Sequence, residues 1–263
     1  VQTCALPIFM SKIALITGAS SGIGEATARK LAAMGYDLVI TGRRSERLQR
    51  LSDELEDQCK IKVHALGFDV RERTQVESAI ETLPEHFRAI DVLVNNAGLA
   101  SGLEPIDEGD PMDWDKMIDT NIKGLLYITR VVSRMMVERG QGGLIVNIGS
   151  IAGSQTYANG AVYCASKHAV HSLSEGMRID LLKHGIKVSE VRPGMVETEF
   201  SIVRFHGDKE RADKVYEGVK PLCAADIAEV IGWIVSLPPH ININDILVMP
   251  TQQADSHYTY RVL

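Results

Sequence analysis

The sequence predicts an α/β fold: a three-layer, doubly wound parallel sheet of about seven strands with helices on both faces. Three observations predict it. Short apolar runs rich in strand formers alternate with helical stretches all along the chain, which implies parallel strands covered on both sides. Polar and glycine-rich turns follow those runs, at the carboxyl edge where such sheets bind ligands. A length of 263 residues suits one domain of the larger α/β kind, with ample chain for a buried core.

The elements follow in order. Lys12–Thr17 reads as a strand running into GASSGIGEATARKLAAMG, a turn and then a helix. Gly18, Gly22 and Gly24 are spaced G-x-x-x-G-x-G. Glycines there allow a tight turn, close backbone approach to a pyrophosphate and helix packing, while the helix N-terminus offers N–H groups to the anion. The next strand, Asp37–Thr41, ends in Gly42-Arg43-Arg44. An NAD site usually places a carboxylate near this point for the ribose 2′-hydroxyl. Two guanidinium forks suit a 2′-phosphate instead, which favours NADP.

Leu48, Leu51 and Leu55 make Ser45–Gln58 an amphipathic helix. Lys62–Phe68 is a strand ending at Asp69-Val70, where Asp69 either caps the turn or bonds an adenine edge. Val76, Ile80 and Leu83 mark a third helix. Asp91–Val94 is a strand stopping at Asn95-Asn96-Ala97-Gly98, small and amide residues that suit a backbone approaching a cofactor. Gly102–Asp115 carries several carboxylates among Pro and Gly. With no His or Cys and no EF-hand spacing, it reads as a solvated loop, and no metal is expected. Trp114–Glu138 reads as one long helix with Asn121 in its apolar middle, either satisfied structurally or holding the backbone open for a water.

Gly143–Ile148 is the strand leading to Ser150. The helix after it carries Tyr163 and Lys167, and residues at i and i+4 share a face ~5–6 Å apart at Cβ. A phenol and an ammonium presented together, with a hydroxyl nearby, suggest proton transfer. His168 and His171 on the same helix read as packing or surface residues. Lys187–Val191 is a strand ending at Arg192-Pro193-Gly194, and residues 195–222 form a flap over the site. Ala225–Ser236 is a helix, Ile246–Met249 the last strand, and a polar tail follows.

Composition narrows the classes. A net charge of −6 leaves no broad basic face for nucleic acid. No apolar run reaches the ~18 residues of a membrane span. Cys4, Cys59, Cys164 and Cys223 lie far apart without a CxxC pair, so they read as buried or free thiols, which suggests a cytoplasmic protein. Residues 1–9 match nothing downstream and read as a non-native or disordered extension before Met10, leaving 10–263 as a single domain.

The ordered set TGASSGIG (17–24), NNAG (95–98), Asn121, Ser150, YCASK (163–167) and PG (193–194) resembles the short-chain dehydrogenase/reductase family over nearly the whole chain. More narrowly, TGRRSERLQ, NNAGLASGLEP, DWDKMIDTN, ETEFSIVRF and LPPHININ resemble the NADP-dependent 3-hydroxy acid dehydrogenases, a group that includes serine/allo-threonine 3-dehydrogenases and malonic semialdehyde reductases. The resemblance implies a Rossmann-type domain, NADP(H) as cofactor and a soluble homotetramer. It implies a cofactor site at Gly18, Ser20, Ser21, Gly22, Ile23, Gly24, Arg43, Arg44, Asp69, Val70, Asn96, Ala97, Gly98, Tyr163, Lys167, Pro193, Gly194, Val196 and Thr198. It implies catalysis by Ser150, Tyr163 and Lys167, with Asn121 positioning a water that links Lys167 to solvent.

The chemistry fits those residues. Tyr163 is the base in oxidation and the acid in reduction, while the nicotinamide carries the hydride. Bringing a phenol down ~2–3 units from ~10 takes ~3–4 kcal/mol. An ammonium ~4 Å away at an effective dielectric of ~20 supplies about 4 kcal/mol. Lys167 is therefore expected to provide the shift and to bond the nicotinamide ribose. Ser150 and Tyr163 are expected to bind the substrate oxygen. Arg204, in the flap, is either a ligand for a substrate carboxylate or a surface or subunit-contact residue. Three other readings stay open: a broad carbonyl reductase for neutral ketones or aldehydes, a non-catalytic NADP-binding regulator, and an epimerase-like enzyme of sugar nucleotides. Against the last, the chain shows no sizeable C-terminal substrate domain and its glycine spacing differs.

Overall fold

The computed structural model describes residues 11–262; the reading of residues 1–9 lies outside the described residues. Seven strands form one parallel sheet in the order β3-β2-β1-β4-β5-β6-β9. They are β1 (Ile13–Thr17), β2 (Asp37–Gly42), β3 (Val63–Gly67), β4 (Ile90–Asn95), β5 (Gly143–Ile148), β6 (Ile186–Pro193) and β9 (Asp245–Val248). A separate parallel pair, β7 (Val196–Glu197) with β8 (Leu222–Cys223), ties the two ends of the 195–222 segment together. Strand order reverses between β1 and β4, which opens a crevice at the carboxyl edge.

The sheet is buried on both faces because its strands are apolar on both. Ala14, Ile16, Leu38 and Ile40 belong to one core with α1 (Gly22–Ala33), α2 (Ser45–Cys59) and α9 (Ala224–Ser236). Leu15, Val39, Leu93 and Ile145 belong to the other core, with α3 (Arg73–Glu81) and α5 (Leu125–Arg139). The remaining helices are α4 (Pro111–Ile118), α6 (Ala161–Leu181), α7 (Phe200–Arg204) and α8 (Lys209–Lys214).

Two expectations are corrected. The long helix expected over Trp114–Glu138 starts earlier, with Asp110 capping Met112 N and Pro111 in the first turn, and is not continuous. Between α4 and α5, Asp119–Gly124 widens to a π-helical turn with Asn121 inside it. Such turns are frequent at functional sites. The acidic loop is not wholly solvated. Asp113 is buried, accepts from Ser101 Oγ at 2.6 Å and pairs with Lys116 and His206. The polar tail packs back on the fold: buried Gln253 accepts from Met195 N, and Ser256 N donates to Gln155.

Candidate active site

One cavity of about 490 Å³ runs along the carboxyl edge. Its floor is the glycine turn after β1. Gly18 and Gly22 both have φ in the left-handed region, and a Cβ on Gly24 would lie 2.4 Å from Gly18 O. Only glycine fits there. Asn96 fastens the turn, donating from Nδ2 to Thr17 O at 2.9 Å, while Thr17 Oγ1 accepts from the amides of Asn96 and Ala97. Asn95 faces the interior instead and joins Asn147 and Thr129 in a buried amide ladder. That side chain is structural.

The residues at this end fit a dinucleotide with a 2′-phosphate. Ser21, at the start of α1, makes no side-chain capping bond, so the first-turn amides stay open to an anion. Arg43 and Arg44 line the cavity beside Ser20 and Ser21, and no carboxylate stands at the end of β2. Arg44 is already engaged: Nε donates to Ser20 Oγ at 3.1 Å, Nη2 to Ser21 Oγ at 2.5 Å and Nη1 to Glu199 at 2.7 Å. Arg47 donates to the other Glu199 oxygen, and the two guanidinium groups hold that carboxyl down at about 2. Asp69 caps its turn, accepting from Arg71 N at 3.0 Å and pairing with the Arg71 fork, while still lining the cavity with Val70. Ile23, Ala97, Gly98, Pro193, Gly194, Val196 and Thr198 line it too, and Thr198 lies directly across from Gly22. Gly24 is buried behind the turn rather than on the lining.

At the other end stand Ser150, Tyr163 and Lys167. Ser150 leaves β5 and accepts from Ala152 N, which fixes its hydroxyl at the start of a short turn. Tyr163 and Lys167 come from the first turns of α6 and are both buried. Lys167 Nζ donates to Ile148 O at 2.8 Å. Asn121 is not on the lining. Its amide bonds Leu99 N, Leu99 O and Ser166 Oγ, so its side chain is satisfied by protein, the structural alternative. It still converges on the lysine, since a Cβ at Gly98 would sit 3.3 Å from Asn121 Oδ1 and 3.5 Å from Lys167 Nζ.

The electrostatics correct the simple picture of Lys167 lowering Tyr163. Burial dominates and pushes the phenol well above its ordinary range, with Ser150 and Arg204 pulling it back. Burial draws the ammonium itself down to about 8. Without a cofactor, Tyr163 is therefore a protonated phenol, the acid form.

The flap supplies what the sequence left open. Arg204 ends α7 with its guanidinium carbon 5.4 Å from the Tyr157 ring centroid and 5.7 Å from that of Tyr163. Nε donates to Gly102 O, but the buried Nη2 has no partner. Phe200 packs edge-on against Tyr163 at 5.7 Å. Tyr157, Phe200, Glu199 and the tail residues Gln253 and Ser256 were not singled out from sequence, because nothing local marks a residue that reaches a cavity from a loop or tail.

A doubly wound sheet with a glycine-turn nucleotide cradle and a Ser-Tyr-Lys set at one edge defines a nucleotide-dependent oxidoreductase. The family model for "short chain dehydrogenase" matches residues 12–208, and the chain belongs to that family. Among similar proteins are sulfoacetaldehyde reductase 2 of Chromohalobacter salexigens, 47% identical over 95% of this chain and 98% of its own length. Another is the NADP-dependent 3-hydroxy acid dehydrogenase YdfG of Salmonella typhimurium, 49% identical over 92% of this chain and 96% of its own. The closed form of serine dehydrogenase complexed with NADP+ superposes with a TM-score of 0.88 at 43% identity, over 95% of this chain and 100% of that one.

Proposed function

We propose that the chain is an NADP(H)-dependent oxidoreductase that moves hydride between the nicotinamide and the 3-hydroxyl or 3-oxo carbon of a small 3-hydroxy acid of the serine, allo-threonine or 3-hydroxypropionate/malonic semialdehyde type. The single observation that carries the acidic substrate is the buried, unpartnered Arg204 Nη2 beside Tyr163. A buried guanidinium nitrogen without an acceptor is costly, and a substrate carboxylate satisfies it. Relatives named for sulfoacetaldehyde and for 3-hydroxy acids act on compounds with an anionic end, which agrees.

When bound, the cofactor supplies or accepts the hydride. Gly18, Ser20, Ser21, Gly22, Ile23, Arg43, Arg44 and Thr198 hold its phosphate-bearing end; Asn96–Gly98, Lys167 and Pro193–Gly194 hold the rest. In reduction, Tyr163 gives its phenolic proton to the substrate oxygen that Ser150 positions. In oxidation it takes that proton back. Asn121 fixes the helix turn beside Lys167 and, in this reading, leaves room there for a water that reaches solvent. A cytoplasmic homotetramer belongs to the same proposal, and half-exposed Ile118 and Leu126 on α4 and α5 offer apolar surface for a subunit contact. Among the described residues no helix is long and apolar enough to cross a membrane.

The test is a panel of NADPH oxidation and NADP+ reduction with malonic semialdehyde, serine, allo-threonine and neutral ketones. Preference for the acids supports the reading. Equal rates on neutral ketones favour a broad carbonyl reductase, and no turnover at all favours a non-catalytic NADP-binding regulator.

Cofactor choice gives two expected results. The double variant Arg43→Ala/Arg44→Ala loses about a hundredfold in NADPH affinity, since hydrogen bonds to a charged phosphate contribute about 1.5–3 kcal/mol each. Its NADH affinity hardly changes, and retained NADPH preference contradicts the 2′-phosphate role. Glu199→Gln releases Arg44 and removes a carboxylate from the phosphate's surroundings. NADPH binding should tighten roughly threefold, as an exposed pair contributes only about 0–1 kcal/mol. Fluorescence titration with NADPH and NADH reads both effects.

A further inference from the structure

One buried carboxylate outside the cavity lining meets α6 at His171, one helical turn beyond Lys167. Glu190 sits on β6 opposite Asn147 of β5 and is 1% exposed. Its Oε2 is 2.6 Å from His171 Nδ1, while its buried Oε1 has no partner. A Cβ on Gly149 would fall 2.1 Å from Oε1, so that oxygen lies against the Gly149 backbone. Gly149 is flanked by Ile148, whose carbonyl accepts from Lys167, and by Ser150. A buried carboxylate is costly unless its charge is matched.

Burial pushes the Glu190 carboxyl up, and His171 and Arg192 pull it back toward the ionised form. On β9, Asp245 lies 3.7 Å from His171 Nδ1 and takes the Arg192 guanidinium of β6 at 2.6 Å. Arg192 thus brings the positive charge that a cation would bring to this cluster. Glu175 of α6 is 3.9 Å from the far nitrogen of His171. On β5 the neighbour is the neutral Asn147, and α9, which packs on β6, engages its Glu229 with Lys30 instead. At Lys167, the Glu190 carboxylate is the one charge that opposes the loss of the proton through burial.

We infer that Glu190 is a positioning residue: a buried counter-charge, aimed by His171, that keeps Lys167 an ammonium beside Tyr163. The inference rests on the roles proposed above for Tyr163 and Lys167. Gly149 is part of the device, because any side chain there would displace the free oxygen.

The test is the pH profile of NADPH-dependent reduction of the best substrate in the panel, together with NADPH affinity by fluorescence across the same range. In Glu190→Gln the alkaline limb of both moves down by about one pH unit, the lower end for loss of a nearby opposite charge. Glu190→Asp, which keeps the charge, returns the limb toward its original position. If Glu190→Gln does not fold, His171→Ala serves: it strips Oε2 of its partner, raises the carboxyl and moves the limb the same way. A uniform fall in kcat with an unmoved limb overturns the inference, because a merely structural glutamate gives that result. Turnover retained by Tyr163→Phe overturns instead the reaction on which it rests.

Discussion

Tyr163→Phe is expected to fold, bind NADPH and lose turnover by about 10²–10⁴-fold, the usual contribution of a positioned acid or base. The phenol ring packs against Phe200 and beneath Arg204, and phenylalanine preserves that packing. What it removes is the hydroxyl proposed to protonate the substrate oxygen beside Ser150. The loss should therefore appear in kcat and leave NADPH affinity within about twofold, since no charge or volume is removed at neutral pH. The phenol is held protonated by burial, so the reductive direction is served by its resting form. Single-turnover rates and a fluorescence titration check this, and a variant that keeps its reduction rate defeats Tyr163 as the proton donor.

Arg204→Ala is expected to raise KM for 3-hydroxy or 3-oxo acids by about a hundredfold, within the range of about 2–5 kcal/mol for truncating one partner of a buried charged pair. Neutral ketones should lose only the contact area of the side chain, at most a few-fold. The guanidinium also lies over Tyr157 and Tyr163, where it lowers the tendency of both phenols to hold their protons. A modest kcat effect common to all substrates is therefore expected as well. The ratio of the two substrate classes carries the argument. Equal losses for acids and neutral ketones make Arg204 a packing residue rather than a carboxylate ligand.

Much of the fold was legible because parallel strands covered on both sides announce themselves as short apolar runs, and all seven runs became strands of the sheet. The glycine turn was equally legible. Gly18 and Gly22 adopt φ values that other residues rarely take, so the sequence there is constrained by backbone geometry alone. Helix interiors were less legible. A π-helical turn keeps the apolar periodicity on either side of it, so Asp119–Gly124 looked like unbroken helix. Asp113 looked solvated because its partners Ser101 and His206 are remote in sequence.

By itself the sequence determined the sheet, the nucleotide turn and the spacing that puts Tyr163 and Lys167 on one face, all consequences of local periodicity and backbone sterics. Only the tertiary structure decided the charges. Burial, a property of the packed whole, raises Tyr163 and draws Lys167 down, outweighing the shift that an ammonium four residues away was expected to impose. It also decided that Arg44 is shared with Glu199, that Arg204 has a nitrogen to spare, and that Glu190 is buried against His171 with one oxygen free. Desolvation and pairing depend on which distant residues the fold brings together, and no spacing along the chain records them.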